Sequence, residues 1–349
     1  MKPCGTYDEF YSQDMAIVRT RFQWLMLIVS LSALFACPLF LSDYLISVIN
    51  IIGITIIAAL GLQILTGYCG QLSLGHVAFV AIGAYISSML TYHLNWSWLA
   101  ALPCAIIGSA LFGLIFGLPA LRIKGFYLAL STMAAHFIVI WLILHGGTVT
   151  GAQDGLPVPA IDFGPLSIIN EQNFFYLIIG IMVITTFAAK NLVRMRLGRA
   201  FIAIRDNDIA AEFMGINVFY YKMVAFVIAS AYAGLAGALY APYFGIISTG
   251  HFAFIESLWY LGFLIVGGLG SITGVYFGVI FLFLLRQLVM IAGPEIPNII
   301  PGLSESVMPA MMQIFFGTVI ALFLIFEPRG IYHRWEMVKS SIRIWPFPY

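Results

Sequence analysis

The side chains from which catalytic and metal centres are built are few in this chain and scattered. Its six histidines, His76, His93, His136, His145, His251 and His333, are isolated from one another, and its four cysteines, Cys4, Cys37, Cys69 and Cys104, show neither CxxC nor Cys/His spacing. Triads, zinc sites and disulfide frameworks all need such groupings. No enzyme chemistry is expected, and no metal or cofactor bound by the chain.

The remaining polar chemistry sits inside apolar sequence. Ser131, Thr132 and His136 fall one helical turn apart, and polar groups in such settings usually hydrogen-bond from helix to helix. Glu256 and Arg286 are strongly charged residues in otherwise apolar stretches. An arginine at the centre of a membrane helix costs about 2.5–3.5 kcal/mol on insertion scales. Arg286 therefore has to face protein or water, and an ion pair with Glu256, a carboxylate-binding role or snorkelling would each satisfy it.

The densest polar stretch is 194–217, in which Phe201, Ile204, Ile209, Phe213 and Ile216 recur at helical spacings. Asp206 or Asn207 can cap a second short helix and Gly215 can close it in a left-handed conformation. An amphipathic helix lying on lipid headgroups would have the same pattern, but Asp206, Asp208 and Glu212 fit poorly against an anionic leaflet. A cytoplasmic protein partner resolves the conflict, with apolar knobs in a groove and a charged rim that includes Arg199 and Arg205.

The elements that position these residues follow from composition. Of 349 residues 62% are hydrophobic and 9% charged, with a mean hydropathy of +1.00 spread along the whole chain. Soluble domains carry roughly 25% charged residues, so no water-facing surface can be built here. The expected fold is all-α, a polytopic transmembrane helical bundle bounded by membrane lipid. The net charge of +1 argues against nucleic acid as a partner.

A helix crossing the hydrocarbon needs about 20 apolar residues. Candidate spans are 24–42, 47–65, 76–92, 98–121, 126–145, 174–189, 220–243, 257–267, 275–291 and 307–326, about ten in all, of which two are short. The first begins at Trp24 after an acidic tail with no small-residue cleavage site, so it reads as a retained helix. Lys2, Arg19 and Arg21, then Arg122 and Lys124, then Lys190 through Lys222, then Arg329 through Arg343 fall on one side of that count. The positive-inside rule makes that side cytoplasmic, along with both termini. The expected division is a cytoplasmic tail over 1–23, a transmembrane domain over 24–328 and a cytoplasmic tail over 329–349. Within the domain lie a cytoplasmic segment over 190–219 and an external loop over 146–173. The 146–173 and 293–306 segments lack Lys and Arg.

Two glycine-rich stretches, 67–76 and 267–274, interrupt the apolar pattern, each after an even-numbered span. Non-helical backbone at membrane depth is tolerated where it is buried in protein or lines a wet cavity, and transporters place such breaks at their pathways. The candidate pathway residues are Gly70, Gln71, Ser73, Gly75 and His76 in the first break and Gly267, Gly268, Gly270 and Ser271 in the second. Gln71, Ser73 and His76 could line the pathway or hydrogen-bond the freed backbone. Most other glycines, such as Gly113 with Gly117 and Gly274 with Gly278, read as close-packing positions. A weak self-match of 73–79 with 248–254 pairs an inside with an outside segment and is taken as chance.

Four separated motifs carry a family resemblance: 67–76 followed by Gly83-Ala84-Tyr85, then 122–129, then 198–217 followed by Tyr221-Lys222, then 267–271 with Gly274. In their order and spacing, from about residue 45 to 330, the chain resembles the permease subunits of branched-chain amino acid ABC importers, LivM-type members of the hydrophobic amino acid uptake family. The resemblance implies that 199–215 couples the permease to cytoplasmic ATPase subunits. It also implies two such ATPases using ATP–Mg, a second homologous permease, a periplasmic substrate-binding protein and a place in the bacterial inner membrane. No Walker motif occurs in the chain itself.

Related permeases carry urea, short amides or other small carboxylates, so the cargo rests on the resemblance alone. A self-sufficient secondary transporter would need a carboxylate network, and the spans offer only Glu256. The N-terminal tail through Arg21, the C-terminal stretch from Ile331 to Tyr349 and the Thr249-Gly250-His251 segment depart from the family pattern.

Overall fold

The chain's long runs of Ile, Leu, Ala and Phe have no water with which to hydrogen-bond their backbone in a bilayer, so they satisfy it internally as helices. A computed structural model describes residues 21–120, 125–162, 167–168, 170–292 and 308–344. In chain order the helices are α1 (Arg21–Ala36), α2 (Asp43–Leu62), α3 (His76–His93), α4 (Trp98–Ala120), α5 (Phe126–Leu144), α6 (Glu171–Arg194) and α7 (Arg196–Asp206). There follow α8 (Asp208–Phe213), α9 (Val218–Phe244), α10 (Phe254–Gly267), α11 (Ile272–Ala292), α12 (Met308–Phe326) and α13 (Gly330–Ile344). Strands are confined to short antiparallel pairs: β1 (Leu156–Pro157) with β4 (Ile246–Ile247), and β2 (Ile161–Asp162) with β3 (Ser167–Ile168).

Two helices form the core. Every residue of α2 from Ile52 to Leu62 is buried, as expected of a helix apolar on all faces. The second, α9, presents Ala225, Ala229, Ala233 and Ala236 to the interior and packs on α2, α3 and α4. Small residues set these distances: Gly83 of α3 abuts Gly234, Gly237 abuts Val80, and Gly113 and Gly117 of α4 abut Ser230 and Phe226. Gly274 and Gly278 of α11 seat against Gly267 in the same way, the close-packing role expected for them.

The helix ends sort into two groups. At one end, Arg205 reaches Gly67 at the end of α2, and Gly330 lies against Gly268. At the other end, Asn50 Nδ2 donates to the Glu171 carbonyl and carboxylate (3.1 and 3.0 Å), Tyr243 OH donates to the same carboxylate (3.0 Å), and His93 meets the Val149 carbonyl (3.0 Å). Lys190, Arg194 and Lys339 border one cavity at the first end, and the Arg329 carbonyl lies beside Gly268 there.

A helix stands at each of the ten expected spans, yet their lengths differ from expectation. Asp43–Tyr68, Trp98–Pro119, Tyr127–Leu144, Glu171–Arg194, Val218–Phe244 and Ile272–Ile291 are long and apolar enough to cross a membrane, and α12 with α13, bent by 44°, counts as a further broken span or a re-entrant pair. The α1 and α10 helices are shorter, while α3 is diluted by Ser87, Ser88, Thr91 and two terminal histidines. The loop expected over 146–173 ends before Glu171, and the segment expected over 190–219 begins inside α6. Part of the expected C-terminal tail is helix α13. The expectations for Lys2, Cys4, Arg19, Arg122, Lys124 and 293–306 lie outside the described residues.

Candidate functional site

The first break begins with a change of winding. Helix α2 runs into a π-helical turn, Gln63–Tyr68, in which Cys69 N donates back five residues to Ile64 O (3.2 Å); such turns recur at functional sites. The chain then reverses and climbs beside the helix it has just left. Gln71 N donates to Leu65 O (3.1 Å), Thr66 Oγ1 donates to Gln71 O (2.9 Å), and His76 Nε2 meets Ala58 O (2.9 Å). Ala58 precedes Tyr68 by about 15 Å of helix at 1.5 Å per residue. Helix α3 therefore starts well inside the bundle, with extended backbone buried in protein beneath it.

The second break, between α10 and α11, is stitched to the first. Gln63 Nε2 donates to Gly268 O (3.1 Å) and Ser271 O (3.0 Å), all in buried surroundings, while Ser271 Oγ accepts from Gly274 N (3.1 Å) and so caps α11. Arg205, at the end of α7, enters the same junction and donates from Nη1 to Gly67 O (3.0 Å). Gly70 and Gly270 make the room. Both have positive φ (+72° and +82°), and a Cβ on them would lie 3.0 Å from Arg205 Cγ and 2.8 Å from Arg205 Nη1. Glycine takes that conformation without steric cost.

The polar segment forms the two short helices expected. Asn207, rather than Asp206, is the cap: its Oδ1 accepts from Ile209 N (3.1 Å) and Ala210 N (3.0 Å). Gly215 closes α8 at φ +83°, with Ile216 N bonded to Ala211 O (3.0 Å). Asp206 pairs with Arg205 (3.0 Å) and Asp208 with Lys222 (3.6 Å), while Arg199 and Glu212 are exposed. The single apolar stripe read from the sequence divides. Phe201 and Ile204 are buried against the bundle, whereas Ile209, Phe213 and Met214 are 59%, 88% and 85% exposed. The knobs available to a partner thus belong to α8 and its exit.

Other expected residues fall elsewhere. The backbone of Gln71 takes up hydrogen bonds, but the buried side chains of Gln71 and Ser73 have no partner among the described residues. Gly75 lies against the Thr132 backbone, Leu74 N donates to Thr132 Oγ1 (3.0 Å) and Val77 N to Ser257 Oγ (3.2 Å). Thr132 thus bridges helix to loop. Among the described residues His136 makes no helix-to-helix hydrogen bond and its Nδ1 has no partner; its ring contacts Phe137 and Phe254 edge-on. Ser131 is half-buried.

An ion pair between Glu256 and Arg286 is likewise absent among the described residues. The Arg286 guanidinium instead sits over the Trp259 ring, 5.3 Å from its centroid, and both charges line a cavity of about 400 Å³. Gly270 and Ser271 border a second cavity, of about 650 Å³, at the basic end with Lys190 and Lys339. No group of three or more His, Cys, Asp or Glu able to hold a metal occurs among the described residues. Gln63, which joins the two breaks, and Ser257 were missed by sequence reasoning. An amide at the end of the long apolar run that follows Asn50 was the signal that could have found Gln63.

The profile of the family described as branched-chain amino acid transport system, permease component, matches residues 44–324. The high-affinity branched-chain amino acid transport system permease protein LivM of Escherichia coli (strain K12) is 33% identical over 290 residues, covering 76% of this chain and 68% of that protein. The corresponding LivH protein of Salmonella typhimurium is 25% identical over 303 residues, covering 80% and 92%. A probable LivM permease protein of Methanocaldococcus jannaschii is 25% identical over 240 residues, covering 67% of each chain. No solved structure matches the chain. The chain belongs to the permease component family of branched-chain amino acid transport systems.

Proposed function

We propose that this chain is one of two permease subunits of an ATP-driven importer that carries branched-chain amino acids across the bacterial inner membrane. The names of the LivM and LivH relatives support the cargo and the second permease. Two cytoplasmic ATPase subunits hydrolyse ATP–Mg, and a periplasmic binding protein delivers the amino acid. This chain performs no chemistry of its own.

The observation that carries the reading is Arg205. It fastens the segment bearing the uncovered Ile209, Phe213 and Met214 to the carbonyl of Gly67, beside a junction where Gln63 already ties one helix break to the other. A partner that grips α8 and shifts it moves α7 as a body, because Asn207 and Gly215 fix the geometry of α8 and Phe201 and Ile204 key α7 into the bundle. The displacement reaches the ends of α2 and α10 and the start of α11 together. Backbone free of helical hydrogen bonds can change conformation there at least cost, so coupling acts through a defined element.

Phe213→Asp with Met214→Asp tests this directly. Both positions are exposed, so the permease should still fold and insert. Copurification of the soluble ATPase from detergent-solubilised membranes should be lost. Undiminished ATPase recovery with the double variant would overturn the docking assignment.

A further inference from the structure

We infer that the cavity between α2, α3, α9, α10 and α11 is a transit site for a free amino acid, in which Arg286 receives the α-carboxylate and Glu256 the α-ammonium group. This inference rests on the amino acid reading above and assigns it residues.

The cavity's volume of about 400 Å³ lies at the lower end of the range usual for small-molecule pockets, about 300–1,000 Å³. Its wall is mostly apolar, with Ile54, Val80, Phe263 and Phe283 among the lining residues. Thr55, Tyr240, His251, Tyr260 and Gln287 add polar groups to that wall, and two opposite charges interrupt it, one from the first turn of α10 and one from far along α11. They do not close on each other within 4 Å, and the Glu256 carboxylate has no hydrogen-bond or ion-pair partner among the described residues. Arg286 is held over the Trp259 face (5.3 Å), which orients it without using its hydrogen-bond donors.

Glu256 and Arg286 are half-buried, and charges near one another in such surroundings usually pair. Short of contact, they leave one anion position and one cation position in the cavity, and the α-carboxylate and α-ammonium of an amino acid supply both at once. The apolar wall then takes an aliphatic side chain. The arrangement also selects against other cargo. A simple carboxylate leaves Glu256 unmatched, an amine leaves Arg286 unmatched, and uncharged urea or amides satisfy neither.

The test uses the complete importer, both permeases with the ATPases and the binding protein, in proteoliposomes supplied with ATP and radiolabelled leucine. Arg286→Gln and Glu256→Gln should each lower leucine uptake by about tenfold or more, while subunit copurification and ATP hydrolysis stimulated by the binding protein are retained. The double variant decides between a ligand site and an internal pair. At a ligand site, Glu256→Gln with Arg286→Gln is at least as impaired as either single variant; for an internal pair, removing both charges restores uptake.

Restored uptake in the double variant, or unchanged uptake in the singles, overturns the inference. Should Arg286→Gln fail to assemble, Met290→Trp at the exposed rim of the cavity decides instead: blocked uptake with intact assembly supports the site, and normal uptake overturns it. Absence of leucine uptake by the unaltered complex would refute the amino acid reading itself, a result distinct from all of these.

Discussion

Replacing Arg205 by Gln should uncouple this permease from its motor while leaving the bundle folded. Arg205 donates to Gly67 O (3.0 Å) and to Asp206 Oδ1 (3.0 and 3.1 Å). A hydrogen bond from a charged donor contributes about 1.5–3 kcal/mol when sheltered, but the Arg205 side chain is 36% exposed. Screening therefore leaves the Asp206 pair under about 1 kcal/mol, and the bond to Gly67 counts at the lower end of its range. The expected loss of stability is about 1–2 kcal/mol, read as a shift of a few degrees in thermal unfolding in detergent. Coupling free energies between sites run to about 1–3 kcal/mol, or 5–150-fold, and this side chain is the tie from α7 to the Gly67 carbonyl. Leucine taken up per ATP hydrolysed, measured in proteoliposomes, should fall by about tenfold. A ratio within about twofold of the unaltered complex, with stability lowered as expected, would refute the transmission route.

Gly270→Ala should mimic that variant. At φ +82° with a Cβ 2.8 Å from Arg205 Nη1, the alanine costs about 1–2 kcal/mol in backbone strain and displaces the guanidinium, so the uptake-to-hydrolysis ratio should drop even with Arg205 present. Asn207→Ala removes the cap of α8 at a cost of about 1 kcal/mol; faster proteolysis of the 206–216 stretch in the isolated permease would register it. Gln63→Leu leaves the carbonyls of Gly268 and Ser271 without their buried donor. About 1–3 kcal/mol of stability should be lost, seen as a lowered unfolding temperature that Arg205→Gln does not reproduce in full.

Much of this fold could be read along the sequence because a bilayer leaves few choices: apolar runs become helices, and charge marks their ends. The two short helices of 196–213 were legible from Asn207, Gly215 and the spacing of Phe201 and Ile204, since caps and periodicity are local. What could not be read was which face of that segment the protein covers itself. Phe201 and Phe213 look alike in sequence, and only the packing of α7 against Tyr221 and the bundle separates them.

The junction shows the same limit. Gly67 and Gly270 are 203 positions apart, and no local rule joins them; the link runs through Gln63, an amide hidden in an apolar run. Helix α3 begins beside Ala58, a position in the bundle that the glycine-rich break of 67–76 left open. The self-match of 73–79 with 248–254 was set aside because it pairs opposite sides. Both segments lead into a helix, α3 and α10.

The central claim is that this chain forms one half of an ATP-driven pathway and transports nothing alone. It is tested most directly by leucine uptake into proteoliposomes, comparing this chain by itself with the set of two permeases, two ATPases and the binding protein. Uptake confined to the complete set and dependent on ATP is the predicted result. Uptake by the purified single chain without ATP would contradict it.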